Sequence, residues 1–264
     1  MNRCGFVIFG HCGVHDYDDI QDIVDNIGSL HDNCDFFVNH PTVKHPKIKT
    51  RHNVGPVNHS SFIFGAFIEL VKSLTEEEIN SFDHFCLVSA NQYFIRPFDY
   101  EKNINYVMFY NTPNWDSDYT GKDFSTDIKG DPLTQPYGRW DQKDMHKVLN
   151  VPTPMASNWE HMTLTRESML LCKKHIDVCV ELYPNQDMIS LYPGFMALLT
   201  GQEWKFPPFF GTFDPSCPNK NWILTQEQIN EKFNEGYVSV KRVNYKKDCP
   251  LKTYIKKEIL KNEQ

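Results

Sequence analysis

A chain of 264 residues, 40% hydrophobic and 14% aromatic, carries enough apolar surface for a large core, which excludes a disordered chain. A net charge of −7 argues against broad nucleic-acid binding. No run approaches the ~18 consecutive apolar residues of a membrane span, and no repeat or linker divides residues 1–264, so one compact α/β domain is expected.

Cys4–Gly10 is a β-rich apolar run broken by His11-Cys12-Gly13, which predicts a first strand. Asp16–Leu30 places Tyr17, Ile20, Ile23, Val24 and Ile27 at helical spacing, with acids at its start where the helix dipole favours them. Cys34–Asn39 is a second strand ending at His40-Pro41, so the chain opens strand–helix–strand with a right-handed crossover. Lys44–Arg51 reads as a basic loop, Val54–Val57 as a short extended piece and Phe62–Leu74 as a helix.

The run Phe85–Val88 is apolar throughout and ends at Ser89-Ala90-Asn91-Gln92, the pattern of a central strand covered on both faces of a mostly parallel sheet. Ligands of open α/β sheets bind at the carboxyl ends of such strands, which puts Ser89, Asn91 and Gln92 in the crevice. Tyr106–Tyr110 predicts another strand, and Asn111–Gly138 a long loop of the kind that is uncommon without a function. Arg166–Val180 and Tyr192–Thr200 read as helices and Pro207–Pro218 as a loop. Thr225–Asn234 reads as a helix with Thr225 and Gln228 in a capping box, and Tyr237–Val243 as a late strand.

Residues 241–264 hold eight Lys and Arg against Asp248, Glu258 and Glu263, about +5, so a basic tail closes an acidic protein. In Cys249–Lys261, Leu251, Tyr254, Ile255 and Ile259 make an apolar stripe that either docks on the domain, the preferred outcome, or lies on an anionic membrane surface. Asp16, Asp18 and Asp19 directly after the first apolar run speak against a signal peptide, so a reducing, cytoplasmic setting is expected. Eight cysteines without a CxxC pair read as small core residues.

No GxGxxG, GxxxxGK[ST] or GxSxG occurs, which weighs against dinucleotide, P-loop and serine-hydrolase chemistry. His11, His15 and Asp18 lack a recognisable metal-ligand spacing. Asp116-Ser117-Asp118 is a DxD, the pattern that holds a divalent cation on a sugar-nucleotide diphosphate, but it falls in the long polar loop where a solvated turn is the simpler reading.

Taken in order, CGFVIFGHCGVHDYDDIQDIVDNI, CDFFVNHP, FDHFCLVSANQYFIRP, NWEHMTLTRESM and NWILTQEQINEKFNEGYVSVKRV resemble the core-2/I-branching β-1,6-N-acetylglucosaminyltransferases and the related xylosyltransferases. That resemblance implies a Rossmann-like GT-A fold and inverting transfer of a sugar from a nucleotide-sugar, UDP-linked by expectation, to a glycan or lipid-linked sugar. It also implies that Lys241 and Arg242 neutralise the leaving diphosphate in place of a metal, so manganese or magnesium is not expected.

By position, Gly10, His11, Gly13, Asn39 and His40 would meet the nucleotide. Ser89, Asn91 and Gln92 would meet the diphosphate or sugar, and Trp159 and Glu160 would border the acceptor. The family's general base is a carboxylate opening the short helix after the Trp–Arg segment, yet Leu191–Met196 holds no acid. Asp187 just upstream is preferred for that role over Glu203 just downstream. The missing base leaves a non-catalytic nucleotide- or sugar-binding protein as the alternative, together with a metal-dependent transferase using Asp116 and Asp118.

Overall fold

The computed structural model describes residues 2–10, 16–39, 49–51, 67–111, 155–182, 192–210, 223–241, 243–244 and 246–262. Its centre is a seven-stranded sheet. The strands are β1 (Cys4–Phe9), β2 (Cys34–Asn39), β3 (Lys49–Arg51), β4 (His84–Ser89), β6 (Asn105–Asn111), β7 (Met155–Thr165) and β8 (Trp204–Lys205), in the order β3-β2-β1-β4-β7-β6-β8. The three strands expected to be neighbours are neighbours: Cys4 lies between Cys34 and His84, and Phe9 between Asn39 and Ser89.

The sheet is mixed, which corrects the expectation of a mostly parallel one. The strands β3, β2, β1 and β4 form a parallel half, whereas β7 runs antiparallel to both β4 and β6. Sequence periodicity missed β7 because its pairing with β6 slips between Tyr106↔Thr163 and Met108↔Asn158, so the stretch from Trp159 to Met162 bulges and its alternation is lost. Lys49–Arg51, expected in a loop, is an edge strand on β2; a short basic edge strand carries no apolar signal.

Alternation along the strands divides the core. Val7, Phe37, Phe85 and Leu87 face one side of the sheet, with Met169, Cys172 and Ile176 of α4 (Arg166–Leu182) and Met196 and Ala197 of α5 (Tyr192–Leu199). Helical residues 67–73, here α2, and α3 (Glu76–Asn80) cover the same side. Phe6, Ile8, Cys86 and Val88 face the other side, under Ile20, Ile23, Val24 and Ile27 of α1 (Tyr17–Gly28). The expected helix boundaries hold where caps fix them: Asp16 with Asp19 at α1, and Thr225 with Gln228 at α6 (Gln226–Asn234), each form reciprocal capping boxes.

A second, three-stranded sheet, ordered β5-β10-β9, is built from β5 (Gln92–Phe94), β9 (Phe209–Phe210) and β10 (Ser239–Lys241). Tyr93 and Val240 turn one face of it to the C-terminal segment, whose α7 (Pro250–Tyr254) continues through a π turn over Ile255–Ile259. Leu251, Ile255 and Ile259 are buried there, so the apolar stripe docks on the domain and is not available to a membrane surface. Lys252, which lies off the apolar stripe, is buried as well.

Candidate functional site

The carboxyl ends of β1 and β4 lie side by side, Phe9 level with Ser89, at the edge where open α/β sheets take their ligands. Gly10 is buried at the exit of β1. The Ala90 amide donates to the Phe9 carbonyl at 3.1 Å and closes the two strand ends together. Ser89 Oγ donates to Asn91 Oδ1 at 2.6 Å, which fixes the turn on which both were expected to meet ligand. Asn39 ends β2 level with Phe9. His11, Gly13 and His40 lie outside the described residues.

The second sheet brings a distant part of the chain to this edge. In the antiparallel β5–β10 pair, Lys241 stands directly opposite Gln92, and directly opposed residues share a face. Lys241 therefore shares the Gln92 and Ser239 face of the small sheet, adjoining the Ser89–Asn91 turn. Arg242 lies outside the described residues.

Gln92 itself is 1% exposed, and its amide is committed inward. Its Nε2 donates to His161 Nδ1 and, at 2.9 Å, to Ser239 Oγ; Ser239 Oγ is also 2.8 Å from His161 Nδ1. Direct contact between the Gln92 side chain and a diphosphate is thus corrected: the side chain ties three elements together. His161 stacks on Phe209 at 5.5 Å, and burial pushes its imidazole down to about 3, so it is neutral. Acceptance at Nδ1 puts its proton on Nε2. Neither His161 nor Ser239 was singled out from sequence, and the only signal was a polar residue between the apolar positions of NWEHMTLT.

The amino end of α1, where Rossmann-type sites hold phosphate, is occupied here by carboxylates. Asp16 and Asp19 cap it, Lys246 Nζ lies 2.8 Å from Asp19 Oδ2, and Lys247 pairs with Asp18. Burial opposes ionisation of Asp19, but the Lys246 ammonium and the backbone amides outweigh it and lower its pKa. The amino end of α1 is thus already committed to side-chain caps and ion pairs with Lys246 and Lys247.

Other expected positions divide. Trp159 and Glu160 fall in the bulge of β7. Asp187, Asp116 and Asp118 lie outside the described residues. Glu203 precedes β8, and its carbonyl accepts from the Asn105 amide at the amino end of β6, on the edge opposite the crevice, which removes it as a base for this site. The Leu164-Thr165-Arg166 segment is structural: Thr165 Oγ1 accepts the Ser168 amide and caps α4, and Asn105 Oδ1 accepts the Thr165 amide. Among the described residues no group of three or more His, Cys, Asp or Glu is placed to hold a metal.

No protein-family model matches the chain, and no curated protein does. The groups gathered at this edge are Ser89 and Asn91, hydrogen-bonded to each other, with Lys241 brought next to their turn by its pairing with Gln92. Such a set suits an anionic, hydroxyl-rich ligand.

Proposed function

We propose that this chain is a cytoplasmic inverting glycosyltransferase of GT-A-like fold, taking a nucleotide-sugar, UDP-linked by preference, in the crevice between β1 and β4. The β5–β10 register carries this reading, because it sets Lys241 beside the turn where a diphosphate would lie. The parallel half of the sheet, β3-β2-β1-β4, supports a nucleotide at its carboxyl edge, and because the amino end of α1 is taken up by its own caps and ion pairs, the diphosphate charge falls to a side-chain cation.

The acceptor hydroxyl of a glycan or lipid-linked sugar attacks the anomeric carbon as the bond to the diphosphate oxygen breaks. The electron pair leaves with the nucleoside diphosphate, where Lys241, and with it Arg242, offsets the growing charge without reorganisation. The hydroxyl proton passes to a carboxylate, for which Asp187 is the assigned candidate. A divalent cation is not required.

The test is UDP release from a panel of UDP-sugars with glycan acceptors, with and without EDTA. Release that survives EDTA and falls about 100-fold in Lys241→Met, the cost of one preorganised stabilising group, is expected. Loss in EDTA, restored by manganese and abolished by Asp116→Ala, would replace this reading with a metal-bridged one. UDP binding without release from any donor would make the chain a binding protein.

A further inference from the structure

We propose that Gln92, His161 and Ser239 are positioning residues, a buried lock that holds Lys241 beside the Ser89–Asn91 turn and anchors the bulge of β7 to the small sheet. The inference rests on the proposed nucleotide site and adds to it the machinery that sets its cation.

The lock joins three separate elements: Gln92 opens β5, Ser239 lies on β10 two residues before Lys241, and His161 lies in the bulge that also contains Trp159 and Glu160. All three side chains are at most 1% exposed. One amide group spans them, since Gln92 Nε2 donates to both partners. His161 adopts φ +55°, a left-handed conformation that strains a non-glycine residue and persists only where surroundings impose it. Those surroundings are the two hydrogen bonds and the rings of Phe94 at 5.4 Å and Phe209 at 5.5 Å.

Stability alone does not account for the group. Gln92 Oε1 and His161 Nε2 have no hydrogen-bond partner among the described residues, and a buried polar set with orphaned atoms is less favourable than apolar side chains of the same shape. What the polar set supplies is geometry, because directional bonds fix the register of β10 against β5 while apolar packing tolerates slippage. Lys241, next along β10 on the same face, is placed by that register.

The experiment is calorimetric titration with UDP, in a cycle combining Gln92→Leu with Lys241→Met, alongside Ser239→Ala and His161→Asn. Asparagine tolerates the left-handed backbone and keeps an acceptor, so His161→Asn is the conservative variant. Gln92→Leu and Ser239→Ala are expected to weaken UDP about tenfold, on the scale of one charge-assisted hydrogen bond, with His161→Asn nearer the parent. Gln92→Leu should cause no further loss in the Lys241→Met background, since the lock acts through the lysine. Lys241→Met weakening UDP while Gln92→Leu and Ser239→Ala, folded, bind it as tightly as the parent would overturn the lock alone. Equal losses from Gln92→Leu with and without the Lys241→Met substitution would show a structural role only and would also overturn it. A parent chain that binds no UDP, or a Lys241→Met variant that binds it as well as the parent, overturns the site reading and the lock with it.

Discussion

Lys252 Nζ lies 2.8 Å from Asp22 Oδ2, and the two side chains are 2% and 6% exposed. The pair bolts the C-terminal segment to α1, and Lys256 reaches the other oxygen of the same carboxylate. The Lys252 ammonium also sits 5.2 Å from the Tyr93 ring, which adds a cation–π contact in a site shielded from water. Removing the carboxylate strands the buried Lys252 ammonium, whereas removing Lys252 leaves Asp22 paired with Lys256. We therefore expect Asp22→Asn to cost about 3–5 kcal/mol, Lys252→Met to cost less, and the buried pair replaced together by apolar side chains to cost less than Asp22→Asn. Urea midpoints of the two single variants and the double variant measure it; single variants as stable as the parent would contradict the ion pair.

Truncation after Asp248 should be more severe. It uncovers Tyr93, Ile95 and Val240, each 0% exposed, and burial of such side chains contributes about 1.5–3 kcal/mol apiece. Because Val240 lies on the strand that carries Lys241, thermal melting and UDP affinity should fall together. A truncated chain with an unchanged melting temperature would show that the segment contributes nothing to the fold.

Stability should decline as pH falls below the ordinary histidine range. Burial lowers His31 to about 4 and His161 to about 3, and lowers His84 as well. Above about pH 6.5 these rings are neutral in both states and cost nothing. Between about pH 6.5 and 4 the unfolded chain takes up protons that the folded one refuses, so unfolding is favoured progressively. The carboxylates whose pKa the fold lowers, among them Asp19 and Glu167, lose their contribution only at the acid end of that window and below it. Denaturant midpoints at pH 7, 6 and 5 should drop in order, and His31→Phe, set among Phe6, Phe94 and Tyr100, should flatten the slope. A flat profile from pH 7 to 5 would mean that these rings are not buried neutral.

Gly5→Ala should destabilise the sheet. A methyl group there would meet the rings of Phe37 and Phe85 at 3.0 Å, closer than carbon atoms sit in a packed core. Both rings are buried between strands, so relief requires a shift of β2 or β4, at a cost of about 1–3 kcal/mol. Chemical denaturation reads the difference, and an alanine variant at parental stability would show that the rings yield freely.

The sequence alone determined what depends on local periodicity and end chemistry. Apolar runs gave β1, β2 and β4 within a residue of their observed limits, the acids favoured by the helix dipole marked the start of α1, and a capping box marked the start of α6. From strand ends alone the placement of Gly10 and Ser89–Asn91 at one edge of the sheet was already legible, because neighbouring parallel strands end at the same edge. Tertiary structure decided what depends on residues far apart. It added β7 and set it antiparallel to both neighbours, since a strand's direction is set by its partners; it turned Gln92 inward, since His161 and Ser239 lie 69 and 147 residues away. It also buried Lys252, because a lysine reads as solvent-facing until a carboxylate such as Asp22, in a different element, neutralises it.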